Sequence, residues 1–462
     1  MIQYPFKLVF LLCISGLISA CSMGTPSATS APTSNSAASI PQATNTNIRV
    51  PLAKRPAIQT AWWQRFNDPL MVALIQESWQ ANPSLTVARA SVQSARAQGV
   101  IAGASLLPTV SSSMSARDTS SSSPSWSLGA DASWELDLWG GNRLTAKAAN
   151  EDLKAAQASY EDVKASLAAE VASAYVNLRL AQARLSLSNQ TNKSREETMR
   201  LTEMRLKAGL DSGLTTEQAR LSLGQNQANL PTLNSAVQRA QYALAVLTGK
   251  SPQALTQRLS TIKPIPTATG RIQPNIPANA LRQRPDMRAA EYQIAAAQAR
   301  IGAAKADLYP SFSLSGTLTN SGLTLADILD PSAIVKALVA SISAPIFNGG
   351  KLRQQVVIKD AAYNQAVANY QQTVLTALKD IADGFATLQG LQRQQPILQK
   401  NLATARSAEH LANLSYQAGV DDFQNVLDAQ RSILSTQESL LSAQADYSLA
   451  LISLYKAVGG AW

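Results

Sequence analysis

Two segments of the chain alternate strictly between apolar and polar residues. The longer runs from Trp126 to Leu138, and serine, glycine, aspartate or glutamate fills every position between its apolar residues. The shorter begins at Phe312 and continues to Thr319 with serine and threonine between its apolar residues. A period of two predicts β-strands with one apolar and one polar face. The longer strand also has the length and the terminal tryptophans of a membrane strand; a strand of a soluble sheet is the alternative.

Two much longer stretches have the residue pattern of α-helices. Asn142–Ala208 contains no glycine or proline, and at about 1.5 Å per residue it predicts a helix of about 100 Å. Apolar residues recur there every seven positions, as in a coiled coil. The second stretch begins at Lys351 and carries Pro396, which predicts a kink or an interruption near Gln395. Helices of this length do not belong to an ordinary compact domain.

The same order of patterns occurs twice. Each half has a helix, an alternating hairpin, a glycine pair, a long helix, an Ala-Gly turn and a further helix, and such a repeat decides the fold. We assign the first repeat to residues 56–265, with strands at about 109–138, a long helix at about 142–208 and a helix at about 213–248. We assign the second to residues 266–462, with a helix at about 285–307, strands at about 310–346, a long helix at about 351–418 and a helix at about 421–458.

Four strands per chain are too few for a closed pore. Open strand edges are not tolerated in lipid, so strands that cross a membrane must share one barrel with those of other chains. The long helices must then continue that assembly outside the membrane. The predicted class is a mixed membrane α+β protein.

The first residues predict export. Lys7 and the apolar run from Leu8 to Ile18 are typical of a signal peptide at residues 1–20. The sequence Ile18-Ser19-Ala20-Cys21 resembles the bacterial lipoprotein signal, in which Cys21 becomes the acylated N-terminus; an ordinary cleavage site with an incidental cysteine is the alternative. Residues 21–55 are rich in Ser, Thr, Ala and Pro, and they predict a lipidated flexible segment.

Composition argues against several functions. The chain has one histidine and two cysteines, and it lacks the usual metal motifs and the glycine-rich phosphate loop, so we expect no enzyme, no metal and no cofactor. The net charge is +10, but the basic residues are dispersed along predicted helices without interleaved aromatic residues. We therefore expect no nucleic-acid partner.

Several motifs together resemble the outer membrane factors of tripartite efflux systems, the TolC-like family, and in particular its OprM/NodT lipoprotein branch. The LxxRPDxxxAE pattern, which begins at Leu281, is the most specific of them. The stretches that carry the resemblance are Trp62–Pro69, Leu281–Glu291, Ile301–Ser311, Pro345–Gly350, Tyr416–Arg431 and Leu454–Gly460.

The resemblance implies an architecture and partners. It implies a homotrimer with a shared twelve-stranded β-barrel in the outer membrane, in contact with its lipid, continued by a periplasmic α-helical barrel. Loops near 117–124 and 319–332 would face outside, and turns at 207–214 and 417–424 would form the periplasmic tip. The partners would be a periplasmic adaptor (membrane fusion) protein and an inner-membrane pump of the resistance-nodulation-division class. The chain would be a passive duct for drugs or other toxic small molecules, contributing to multidrug resistance.

Two other functions stay open at this point. The long helices and the lipid anchor also suit a structural or adhesive coiled-coil lipoprotein, although such a protein does not explain strands at the same place in both repeats. Within the channel class, a duct for type I protein secretion is the alternative to small-molecule efflux.

The resemblance also suggests a periplasmic gate. In this family acidic residues line the constriction, and the resemblance assigns that position to Asp428. Asp421, Asn425 and Asp428 are spaced so that they share one helix face. Asp422 lies beside Asp421, and Arg431 is close enough along the helix to offset part of the charge. The alternative for Asp421 is a capping box that starts the helix.

The Ala-Gly turns predict a docking surface. Gly209 and Gly419 end the long helices, where a left-handed residue is usually needed. Leu210 and Val420 follow them and should be exposed at the tip. We expect these four residues to meet the adaptor.

Overall fold

The computed structural model describes residues 61–120, 122–268 and 282–459. The predicted signal peptide, Cys21 and the predicted flexible segment lie outside the described residues, as does Leu281 of the LxxRPDxxxAE pattern.

The elements follow one another in the same order in each half of the chain. After a 3₁₀ turn at Trp62–Phe66, the first half contains α1 (Pro69–Ala81), α2 (Pro83–Ala104), β1 (Thr109–Thr119), β2 (Ser122–Leu136), α3 (Gly141–Lys207) and α4 (Gly213–Leu247). The second half contains α5 (Pro285–Ala306), β3 (Ser311–Gly322), β4 (Val335–Ser343), α6 (Lys351–Gln417) and α7 (Phe423–Ala457). Both long helices, α3 and α6, have 67 residues.

Pro396 does not interrupt α6, so an interruption near Gln395 is wrong, whereas the bend expected there stays a prediction. The helix is continuous from Lys351 to Gln417 with the proline inside it. The neighbouring helix α7 supports this stretch, since the Gln395 side-chain amide donates to the Ala443 carbonyl at 3.1 Å. This bond joins α6 to α7 next to Pro396, which cannot donate a backbone hydrogen bond within the helix.

The four strands form one antiparallel sheet in the order β1-β2-β3-β4. The two hairpins join where β2 pairs with β3, with Trp134 opposite Leu314 and Leu128 opposite Asn320. Because paired residues point to the same side, the sheet has two distinct faces. We call the apolar face the one formed by Val110, Met114, Trp126, Leu128, Ala130, Ala132, Trp134, Leu136, Phe312, Leu314, Gly316, Leu318, Leu338 and Ile342, with Asn320, Gly322 and Lys336 at one end.

The opposite face carries mainly serine, threonine and aspartate, for example Ser127, Asp131 and Thr317. Val339 on β4 is one of its few apolar residues, opposite Ser315. The predicted alternation is therefore present in the sheet. Of the described helices, none has both the length and the hydropathy that crossing a membrane would need.

The main core lies where the N-terminal elements pack on the middle of α3 and the end of α7. Trp62 stacks on Tyr455 with ring centroids 5.5 Å apart, and Met71 is fully buried. Beside them Arg179 is fully buried; its guanidinium donates to the Tyr175 hydroxyl at 2.7 Å. A buried cation needs such partners, because leaving it unpaired costs several kcal/mol, on the order of 3–5.

Arg284 of the Arg-Pro-Asp pattern joins the start of α5 to the end of α7. Its guanidinium donates to the Ala457 carbonyl at 2.7 Å and to both carboxylate oxygens of Asp286 at 3.1 and 2.8 Å. Burial opposes ionisation of Asp286, but the hydrogen bonds and charge of Arg284 outweigh it and lower the pKa of that carboxyl. The pattern thus has a structural role in fastening the first helix of the second repeat, α5, to its last helix, α7.

Candidate functional site

The first Ala-Gly turn closes α3 with a left-handed glycine. Gly209 has φ of +72°, and its amide donates to the Leu206 carbonyl at 3.0 Å. The amide of Leu210 donates to the Arg205 carbonyl at 2.9 Å. These two bonds form a Schellman motif, which satisfies the last carbonyls of the helix. The Leu210 side chain is left 66% exposed.

The second Ala-Gly turn has the same geometry. Gly419 has φ of +71°, its amide donates to the Tyr416 carbonyl at 3.1 Å, and the Val420 amide donates to the Ser415 carbonyl at 3.0 Å. Val420 is 80% exposed. The structure therefore places one exposed apolar side chain at the end of each long helix, as the sequence predicts.

The helices that follow the turns begin differently. Ser212 caps α4 by accepting from the Thr215 amide at 3.3 Å. Asp422 is the N-cap of α7, but no side-chain capping bond forms there. Asp421 instead accepts from the Asn425 side-chain amide at 3.1 Å. The alternative interpretation of Asp421 as part of a capping box is therefore wrong, because its carboxylate is held by the next turn of the helix.

A small apolar cluster lies beneath both turns. Phe423 and Tyr416 contact each other with ring centroids 5.2 Å apart. Val426 is fully buried beside them. Residues from α3, α4, α6 and α7 contribute to the cluster, so the ends of all four helices are packed together; its members are Ala219, Tyr416, Phe423, Val426 and Leu427, with Met199, Leu201 and Ala412 around them.

Three polar residues tie the first turn to the second. The Arg205 guanidinium donates to the Asp211 carboxylate at 3.0 Å, and the Tyr416 hydroxyl donates to the same carboxylate oxygen. Arg205 also donates to the Gln417 carbonyl at 3.2 Å and lies 4.8 Å above the Tyr416 ring. We call Arg205, Asp211 and Tyr416 the turn lock.

The turn lock is largely shielded from solvent. The side chains of Arg205 and Asp211 are 16% and 9% exposed, and Tyr416 is 4% exposed. Burial and the hydrogen bond to Asp211 raise the pKa of the Tyr416 hydroxyl. The phenol therefore remains a donor to the carboxylate at ordinary pH.

The sequence analysis missed the turn lock, although the repeat contained a signal for it. Asp211 follows Gly209 by two positions, as Asp421 follows Gly419. Aligning the two turns would have singled out Asp211 as the counterpart of Asp421. Nothing in the sequence indicates that Tyr416 reaches it, because the two residues are far apart along the chain.

Asp428 lies further along α7 in an exposed position. One of its carboxylate oxygens accepts from Arg431 at 3.1 Å and from the Gln424 amide at 3.2 Å. The side chains of Asp428 and Arg431 are 58% and 59% exposed. Within one chain, therefore, the charge of Asp428 is partly offset by Arg431 and is open to solvent.

Comparison with known proteins agrees with this architecture. The profile described as "Outer membrane efflux protein" matches residues 74–250 and 276–460. The chain is 32% identical over 425 residues to the pyoverdine export outer membrane protein OpmQ of Pseudomonas aeruginosa, covering 87% of each. It is 33% identical over 410 residues to the solvent efflux pump outer membrane protein SrpC of Pseudomonas putida, covering 86% of each. The solved outer-membrane channel OprN is similar with a TM-score of 0.81 and 31% identity, over 87% of this chain and 92% of that one.

Proposed function

Since this chain belongs to the outer membrane efflux protein family and serves as an outer-membrane channel in efflux, we propose that three copies form one passive duct for small molecules. The observation that carries the proposal is the two-faced sheet joined directly to two helices of 67 residues. The names of the relatives refer to pyoverdine export and solvent efflux. They support small molecules rather than proteins as cargo, and a channel rather than an adhesive stalk.

The exposed edges of the sheet support the shared barrel. β1 and β4 are the outer strands, and all their residues are exposed in one chain. Unpaired edges are not tolerated in lipid, whereas β1 of one copy and β4 of the next satisfy each other in a closed ring of twelve strands. The apolar face then contacts outer membrane lipid, and the polar face lines the duct.

The long helices would continue the duct through the periplasm. Their two turns, with Leu210 and Val420, would dock on a periplasmic adaptor protein, which would link the duct to an inner-membrane pump of the resistance-nodulation-division class. We propose that the turn lock, together with Asp421, Asp422, Asn425, Asp428 and Arg431, forms the gate at this end.

We further propose that acylated Cys21 anchors the chain. Replacing Cys21 with alanine, in a precursor whose signal peptide still allows export, is expected to leave the protein in the membrane but to reduce its yield of trimers. The reason is that the strands hold the assembled protein, while the acyl chains, at about 0.8 kcal/mol per buried CH₂, concentrate the unassembled chain at the membrane. Fractionation of cells and native electrophoresis measure both effects. A fully soluble periplasmic variant would show that the strands do not hold the protein in lipid.

The channel activity and the acidic gate are tested together in a planar bilayer. Wild-type protein is expected to give single-channel currents that are cation-selective and blocked by a trivalent cation added on the periplasmic side. Three Asp428 carboxylates around one axis would attract the blocker, and salt should weaken the block because charges are screened over about 10 Å at 0.1 M. Asp428→Ala is expected to abolish the block without loss of trimers, since no buried core is removed.

Glu438→Ala is the matched control for this experiment, because it removes an exposed acid elsewhere on α7 and should leave the block intact. Persistence of the block in Asp428→Ala would place the acidic ring at Asp421 or Asp422. An absence of any current from wild-type protein would contradict the duct itself.

A further inference from the structure

The segment between β3 and β4, residues 323–334, folds back over the apolar face of the sheet; we call it the returning loop. Asn320 belongs to the apolar face because it is paired with Leu128. Its side-chain amide donates to the carbonyls of Ile328 at 2.9 Å and Asp330 at 2.8 Å. Asn320 and Ile328 are only 4% and 2% exposed, so the loop covers this end of the face.

Gly322 gives an independent indication of the same placement. It is paired with Trp126 and therefore also belongs to the apolar face. A Cβ atom added at Gly322 would lie 2.2 Å from the Cβ of Asp327, far inside van der Waals contact. The returning loop thus approaches the apolar face so closely that only glycine fits beneath it.

The carboxylates of the returning loop are used within its own turns. Asp327 accepts from the Thr324 amide at 2.8 Å, and its own amide donates to the Thr324 hydroxyl at 3.3 Å. Asp330 accepts from the Ser332 amide at 2.9 Å and from its hydroxyl at 2.7 Å. These bonds use both carboxylates within the loop.

The outward surface of the returning loop is rich in large apolar side chains. Leu323, Leu325, Leu329 and Ile334 are 64%, 48%, 69% and 40% exposed. Four large apolar side chains exposed on one short loop indicate a contact surface. The described residues of the other hairpin contain no comparable loop, because Thr119 and Ser122 are already paired with each other.

We propose that the returning loop is a lipid-contacting collar, whose leucines enter the boundary between headgroups and acyl chains in the outer leaflet. This proposal rests on the proposed function, in which the apolar face contacts membrane lipid, and the collar continues that face at its outer end. Lys336 lies on the same face directly after the loop, opposite Leu318. A lysine at this depth extends its ammonium to the headgroup phosphates while its stem stays on apolar surface. The surface thus combines apolar side chains with a cation, and both strengthen binding to an anionic lipid surface.

Site-directed spin labelling in vesicles of phosphatidylethanolamine and phosphatidylglycerol tests the collar. Trimers of the mature chain carry Cys21→Ala and are exported with a cleavable signal peptide, so that Cys13 is also absent and one introduced cysteine is the only thiol. A nitroxide is attached to that cysteine, and its relaxation is measured with oxygen, which concentrates among acyl chains, and with a water-soluble nickel chelate. We expect the label at Leu329→Cys to be relaxed more strongly by oxygen than by the nickel chelate. Leu338→Cys on the apolar face should do the same, whereas its neighbour Val339→Cys and Ser123→Cys in the other hairpin should favour nickel. Adding Gly322→Ala to Leu329→Cys should shift the label from oxygen towards nickel, because the new methyl group displaces the loop.

The labels separate failure of the collar from failure of the duct. Nickel accessibility at Leu329 with oxygen accessibility at Leu338 would place the loop in water and overturn the collar alone. Nickel accessibility at both positions would show that the apolar face does not meet lipid, which overturns the proposed function as well. An unchanged Leu329 label in the Gly322→Ala variant would contradict the seating of the loop on the apolar face.

Discussion

Replacing Leu210 and Val420 together with glutamate is expected to abolish efflux while the trimer still forms. Both side chains are exposed at the ends of the long helices, so the change removes no buried packing. In a docked complex, however, an unpaired carboxylate would be left in a desolvated contact, at a cost of several kcal/mol. At about 1.4 kcal/mol per tenfold change in affinity, the loss of adaptor binding is about a hundredfold or more.

The measurement is drug susceptibility of cells that depend on this channel, together with crosslinking to the adaptor and native electrophoresis of the trimer. Leu210→Ala with Val420→Ala is the matched variant, since it shortens the same side chains without adding charge, and it should retain part of the activity. Ser123→Glu places the same charge at the start of β2, outside the two Ala-Gly turns, and should have no effect. Crosslinking that is unchanged in the glutamate variant would argue against docking through the turns.

The strands and long helices are predictable because their causes are local. Alternation over Trp126–Leu138 fixes which side chains share a face, and the absence of glycine and proline from Asn142–Ala208 allows one uninterrupted helix. Both features are visible within a short window of sequence. The left-handed positions of Gly209 and Gly419 are predictable for the same reason, because helix termination is a local event.

Features that depend on distant partners could not be predicted. Pro396 predicts an interruption by local rules, yet α6 continues through it and lies against α7 at that point. Arg179 would be assigned to the surface by its charge, yet it is fully buried beside Tyr175. The capping box at Asp421 was a local interpretation that failed, since the carboxylate binds Asn425 instead.

The turn lock shows the same limit at the candidate gate. The resemblance predicts gate residues from Asp421 to Arg431, in α7 and directly before it. The turn lock instead brings Arg205 of α3 and Asp211 of the first turn against Tyr416 at the second turn. Arg205 of α3, in the first repeat, thus contacts Tyr416 and Gln417 in the second repeat. No pattern within either repeat predicts this contact between the two repeats.

Breaking the turn lock is expected to open the duct, on the proposal that the two turns constrict it. Tyr416→Phe removes the hydroxyl that donates to Asp211, and Asp211→Asn removes the charge that holds Arg205. A hydrogen bond to a charged group contributes about 1.5–3 kcal/mol, and these side chains are buried, so solvent screens them little. Loss of one such bond should shift the balance between closed and open states about 10- to 100-fold. The two changes share one carboxylate, and their combined effect should therefore be smaller than the sum of the single effects.

Single-channel conductance in a planar bilayer measures the opening, and uptake of a large antibiotic by intact cells reports it in the membrane. Both Tyr416→Phe and Asp211→Asn should raise the mean conductance and sensitise the cells. Glu217→Ala is the matched control, because it breaks an ion pair between Glu217 and Arg220 near the start of α4. The side chains of Glu217 and Arg220 are 66% and 55% exposed, and exposed ion pairs contribute about 0–1 kcal/mol. Its conductance should stay that of the wild type. If all three variants had the conductance of the wild type, the link between Tyr416 and Asp211 would support the packing of the helix ends without closing the channel.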